Sequence, residues 1–178
     1  MKNRKQNRLA DHDYSQVGIY FVTICTRNRT EYLGEIKNAE MILYPIGQIV
    51  RECWEETSGH FPNADLGDYV VMPNHVHGIT TIKNIHVGDA DLRPLRQDRT
   101  KMELSKMIHG FKSSVTRRIN RTMPGISFGW RRSFYEHIIR NDDAFNNIKE
   151  YITRNPQNWK NDRNNLQGNL GRPDFQIT

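Results

Sequence analysis

The stretch LGDYVVMPNHVHGITTI, residues 66–82, constrains the fold more than any other part of the chain. Two runs rich in β-branched and aromatic residues flank Pro73-Asn74. Proline has no amide hydrogen to give to a ladder and asparagine favours turns, so the pattern reads as two strands joined in a hairpin. Side chains on a strand alternate faces, which puts His75, His77 and Ile79 on one side and Val76 and Gly78 on the other. Two imidazoles held side by side on a rigid strand suit a divalent metal ion. Each can equally be a structural histidine bonded to a neighbour, and the H-x-H spacing alone leaves both readings open.

The rest of the chain supplies partners for that hairpin. GIYFVTICT, from Gly18 to Thr26, alternates and reads as a strand. YPIGQIVRECWEETSG reads as a helix with Ile46, Ile49, Val50, Cys53, Trp54 and Thr57 on one stripe and Gly59 as its C-terminal cap. Residues 84–99 are polar and irregular, a long connection of the kind that is often functional or mobile. In TKMELSKMIHGFKSSVTRRIN, Thr100 and Glu103 match a capping box, and Leu104, Met107, Ile108, Phe111, Val115 and Ile119 recur at helical spacing. The opposite side of that helix carries Lys106, Lys112, Ser113, Arg117 and Arg121. RRSFYEHIIR reads as a strand. NDDAFNNIKEYITRNP reads as a helix capped by Asn141 or Asp142, which Pro156 ends at Asn155. The order of elements is that of a split βαβ unit with an extra terminal helix. An α+β fold follows, with one antiparallel sheet and helices mainly on one face. The expected organisation is a basic tail over 1–16, one domain over 17–160 and a polar tail over 161–178.

Charge narrows the partner. The 178 residues carry a net charge of +6, with an isoelectric point near 9.4. From Lys112 to Arg140 there are seven Lys or Arg against one acid, Glu136. Clustering of this kind is the footprint of a polyanion site, and Lys112, Arg117, Arg121, Arg131 and Arg132 are the candidate nucleic-acid contacts. The two cysteines, Cys25 and Cys53, have no metal-type spacing. A reducing compartment, the cytoplasm, is the expectation. The longest apolar run, IYFVTIC, is too short to span a membrane, and no membrane partner is expected.

Tyr151 and Asn155 are four residues apart on the last helix and so share a face. A tyrosine can be a nucleophile and an asparagine carbonyl a hard-metal ligand, while a core tyrosine and a helix-ending asparagine look the same in sequence. MPNHVHGI, GFKSSVTRRIN and WRRSFYEHIIRNDDAFNNIKEYITRNPQNW, taken together, resemble the single-tyrosine HUH transposases, and among them the REP-associated tyrosine transposases. The resemblance runs from about Tyr20 to Trp159. It implies a ferredoxin-like fold and cleavage and rejoining of hairpin-bearing single-stranded DNA through a 5′-phosphotyrosine. It also implies Tyr151 as nucleophile, with His75, His77 and Asn155 as ligands of a divalent metal, Mg²⁺ or Mn²⁺. His137 matches a position typical of the family without an assigned role, and either a monomer or a homodimer is compatible. Two other functions use the same features: an HUH nickase of replication or transfer, and a non-catalytic nucleic-acid-binding module with Tyr20, Phe21 and Tyr69 as stacking residues.

Overall fold

The computed structural model describes residues 18–83 and 103–166. The elements are β1 (Gly18–Cys25), β2 (Gly34–Lys37), β3 (Glu40–Leu43), α1 (Pro45–Glu55), α2 (Thr57–His60), β4 (Ala64–Met72), β5 (His75–Ile82), α3 (Glu103–Thr122), β6 (Tyr135–Ile139) and α4 (Asp142–Arg154). Four strands form one sheet in the order β4-β5-β1-β6. Every neighbouring pair is antiparallel. With α1 and α3 as the two crossovers, this is the ferredoxin-like arrangement expected from the sequence. The tails and the 84–99 connection, with Thr100 of the capping box, lie outside the described residues; the part of the C-terminal tail that is described, 161–166, is packed against the sheet.

Alternation along β1 and β5 divides the interior into two layers. Tyr20, Val22, Ile24, Val76 and Ile82 face α1 and α3, where Trp54, Phe111 and Val115 join one apolar cluster. Phe21 and Ile79 face the other way and meet Ile139, Ile148 and Ile152 beneath α4. The apolar residues of the expected stripes of α1 and α3 are all buried. Gly78 is required by the first layer: a Cβ there would stand 2.5 Å from Cζ2 of Trp54.

Two details differ from the sequence reading. The helix after Tyr44 stops at Glu55, and a single turn, α2, follows, with Gly59 inside it and Phe61 at its C-terminal end. At the junction the Thr57 hydroxyl donates back to the Cys53 carbonyl. β2 and β3 form a hairpin of their own between β1 and α1. Its two-residue turn, Asn38-Ala39, has φ of 51° and 65°, the geometry of a type I′ turn. Alanine is an uncommon choice there, and strands of four residues show little alternation, so the sequence gives weak notice of it. At the other end of the chain, α4 begins as expected: the Asn141 side chain accepts from the Ala144 amide at 2.8 Å.

Candidate active site

The pleat carries His75 and His77 onto the α4 side of the sheet, with ring centroids 4.3 Å apart. Both are fully buried, and each has its Nδ1 tied down. The Asn74 side-chain oxygen sits 2.8 Å from His75 Nδ1. The Asn74 amide nitrogen donates to the carbonyls of Arg29 and Asn164, at 3.1 and 2.9 Å. Both of those groups are acceptors, so the oxygen must face the imidazole and His75 Nδ1 must carry the proton. That leaves a lone pair on His75 Nε2, a buried atom with no hydrogen-bond partner among the described residues. His77 Nδ1 lies 2.9 Å from the hydroxyl of Thr23, its cross-strand neighbour on β1. Burial pushes the His75 pKa down to about 4, and the nearby Arg163 and Arg29 push in the same direction. Burial first, and then His75 itself, hold His77 well below the ordinary histidine value. At neutral pH both rings are neutral, the form that binds a cation.

α4 crosses this side of the sheet and brings Tyr151 to the pair. Its hydroxyl lies 3.2 Å from His77 Nε2, and its ring stands edge-on to Phe21 with centroids 6.0 Å apart. Burial and the Asp162 carboxylate raise its pKa to about 12, while Arg163 acts against the rise. Asn155, one turn on, is buried, and its Oδ1 has no hydrogen-bond partner among the described residues.

The sequence reading missed Asp162, which it assigned to the polar tail. A short 3-10 turn, Trp159–Asn161, folds the chain back over the site. One Asp162 oxygen then lies 3.9 Å from His75 Nε2, 4.0 Å from His77 Nε2 and 3.5 Å from the Tyr151 hydroxyl. The other accepts from the Asn164 amide at 2.6 Å. His75, His77 and Asp162 thus present three donor atoms within 4.8 Å of one another, a buried group able to hold a metal ion. The run NWKNDRNNL has no periodicity to announce such a position; only the docked segment reveals it. Thr23 and Asn74, which orient the rings, were likewise not singled out.

The basic residues separate. Lys112 is buried, with its ammonium donating to the carbonyls of Arg131, Arg132 and Ser133 at 3.0–3.5 Å. This corrects its expected place on an exposed face: the long stem lets a charge cap a loop from inside the fold. Arg117 and Arg121 are exposed on α3, in the layer opposite the histidines. Arg131 and Arg132 are exposed just before β6, and the Arg131 amide donates to the carbonyl of Cys25. His137, half-buried on β6, pairs with Phe21, one same-face step from the Thr23–His77 row; burial and Arg140 lower its pKa. Of the proposed stacking residues, Tyr20 and Phe21 are fully buried, so neither is offered to a base.

The chain is 35% identical over 167 residues to an uncharacterized protein of Haemophilus influenzae, covering 90% of this chain and 92% of that one. It is 26% identical over 145 residues to a putative REP-associated tyrosine transposase of the same organism, with 81% and 73% covered. The chain is thus similar to a REP-associated tyrosine transposase in sequence and, in fold, to a solved one. A solved structure of a REP-associated tyrosine transposase bound to a REP hairpin has the same fold, with a TM-score of 0.58 at 24% identity over 85% of this chain and 74% of the other. No protein-family profile matches the chain. Likeness to REP-associated transposases supports a transposase-like function. No helix among the described residues is long and apolar enough to cross a membrane.

Proposed function

We propose that this REP-associated transposase relative cleaves and rejoins hairpin-bearing single-stranded DNA, with Tyr151 as nucleophile and a divalent cation, Mg²⁺ or Mn²⁺, held by His75 and His77. The observation that carries the reading is the placement of one tyrosine hydroxyl 3.2 Å from one of two buried, neutral, pre-oriented imidazoles. The residues fit a cation. His75 Nε2 and the Asn155 side-chain oxygen are orphaned buried acceptors, which cost free energy unless a positive partner meets them. Asp162 adds a carboxylate to the Asn155 oxygen inferred from the family resemblance. A bound divalent cation supplies positive charge beside a phosphodiester and so lowers the cost of charge developing on it.

The chain's own groups do the rest. In the step, a bond forms between the Tyr151 oxygen and phosphorus, and the bond from phosphorus to the 3′ oxygen breaks. The phenolic proton is lost and the leaving 3′ oxygen gains one. One phosphoester replaces another, so rejoining needs no other energy source. A phenol with its pKa raised to about 12 is a poor nucleophile unless positive charge is brought near it. The fixed tautomer of His75 and the Thr23 contact of His77 keep both Nε2 lone pairs oriented for the cation that they would hold.

Incubation of labelled hairpin-bearing single strands with the protein and Mn²⁺ is expected to give a covalent complex on a denaturing gel. Tyr151→Phe should give none while folding normally. His77→Ala should lose Mn²⁺ binding and the complex together, with hairpin binding kept. A complex formed at the parental rate by Tyr151→Phe would refute the assignment.

A further inference from the structure

The phosphodiester that meets Tyr151 carries a negative charge, and the buried groups around it include a second one, Asp162. A cation from the protein itself facing that spot would offset part of this charge alongside the metal. The nearby candidates are mostly engaged elsewhere: Lys149 pairs with Asp68 at 3.5 Å, and Arg154 pairs with Glu150 at 2.9 Å. Arg118 is held by Glu52 and Glu56 in the opposite layer.

Arg163 differs. Its guanidinium rests on the Tyr135 ring, 4.9 Å from the centroid, and no carboxylate among the described residues lies within salt-bridge distance of it. Tyr135 and His77 both pair with Thr23, so the ring that supports the guanidinium belongs to the row of the sheet that holds His77. The backbone under Arg163 is fixed on both sides. Arg29 donates to its carbonyl at 3.2 Å, and the Asn74 amide that orients His75 also holds the Asn164 carbonyl at 2.9 Å. Arg29 is itself held in a left-handed conformation, φ 54°, which a non-glycine residue keeps only where its surroundings enforce it. The field of Arg163 reaches His75, His77 and Tyr151, opposing protonation of the rings and favouring the phenolate. Beside it, the buried Asn164 side-chain nitrogen, Nδ2, has no hydrogen-bond partner among the described residues, a second unused donor on the same segment.

Resting on the function proposed above, we propose that Arg163 is a catalytic residue that binds the non-bridging oxygens of the scissile phosphodiester beside Tyr151. A guanidinium offers paired donors to a phosphate, and stacking on an aromatic ring fixes its plane in advance. Arg163 keeps its protons throughout; it meets the charge that builds on the phosphate as the Tyr151–phosphorus bond forms and the 3′ oxygen leaves.

Inorganic phosphate and Mn²⁺ test this on the full chain without relying on activity. Mn²⁺ uptake is read by electron paramagnetic resonance, and phosphate bound near the ion by its ³¹P relaxation. The parent should take up Mn²⁺ and relax phosphate. Arg163→Ala should take up Mn²⁺ equally while its apparent phosphate affinity falls roughly tenfold or more. Arg163→Lys should restore part of the affinity, and Tyr135→Leu, which removes only the supporting ring, should fall between. Equal phosphate relaxation in Arg163→Ala and parent would overturn the proposal. Failure of the parent to take up Mn²⁺ would instead overturn the metal reading on which it rests.

Discussion

The two faces of the sheet are built from the same strands and solve opposite problems. On the α1/α3 side, Val22, Ile24 and Val76 are closed over by Trp54 and Phe111, and packing is tight enough that residue 78 has no room for a side chain. On the α4 side, Thr23, His75 and His77 occupy the alternate positions of those strands, and polar atoms are buried there with some left unmatched. The first arrangement yields stability from apolar burial and contact. The second gives some of it up, because His75, His77, Asn155 and Asp162 are buried there in place of apolar side chains. The lesson is a division of labour by pleat: one residue in two packs under α1 and α3, and of the others Thr23, His75 and His77 hold chemistry beside the apolar floor of Phe21 and Ile79.

Breaking the dry face should cost the most stability and leave the site alone. Trp54→Ala is expected to destabilise the fold by about 3–5 kcal/mol. Denaturant unfolding reads this, and covalent-complex formation per folded molecule should be unchanged. Loss of complex formation without loss of stability would contradict the separation of the faces.

The wet face should instead be sensitive to acid. His75 has an ordinary pKa of 6.5, lowered by burial to about 4 in the fold. Below pH 6.5 the unfolded chain takes up a proton that the folded chain refuses, so the stability contributed by His75 falls as the pH drops and its loss levels off near 4. For His75 alone the span corresponds to about 3 kcal/mol as an upper figure. Unfolding midpoints between pH 7 and 4 test this, and His75→Gln should flatten the slope. Trp54→Ala should shift the whole curve down without changing its shape.

A smaller effect is expected where β5 meets α1. Gly78→Ala pushes a methyl group into Trp54 and should cost about 1–3 kcal/mol. His77, its neighbour in sequence, faces the other layer and should keep Mn²⁺ binding. The smallest effect belongs to the exposed side of α3. Replacing Arg117 and Arg121 should reduce the salt dependence of single-strand binding by roughly 0.7 for each phosphate left without a cationic partner. An unchanged slope would make that surface a solvated one and leave the α4 side as the whole DNA-binding face.

Period-two and period-3.6 patterns made the dry face legible in sequence, because apolar burial writes itself into spacing. The stripe from Ile46 to Trp54 and the one from Leu104 to Ile119 were readable for that reason. His75, His77, Tyr151 and Asn155 were singled out by their spacing and by the family resemblance, and the fold gathers them on one side of the sheet. Asp162 and Arg163 were not readable. Their positions depend on a turn after Trp159 and on hydrogen bonds from Asn74 and Arg29, residues far away in sequence. Lys112 misled for a related reason: it was read onto the basic face of the helix opposite the apolar stripe, and only the loop at 131–133 shows that its ammonium is drawn inward.

The central claim is that the wet face attacks DNA through Tyr151 beside the histidine pair. The direct test is to form the covalent complex with a hairpin-bearing single strand and Mn²⁺, digest it with protease and nuclease, and locate the nucleotide remnant by mass spectrometry. The account requires a 5′-phosphoryl remnant on the peptide that contains Tyr151, absent when the metal is chelated. A remnant on Tyr135 or Tyr69, or one formed equally with chelator present, would contradict it.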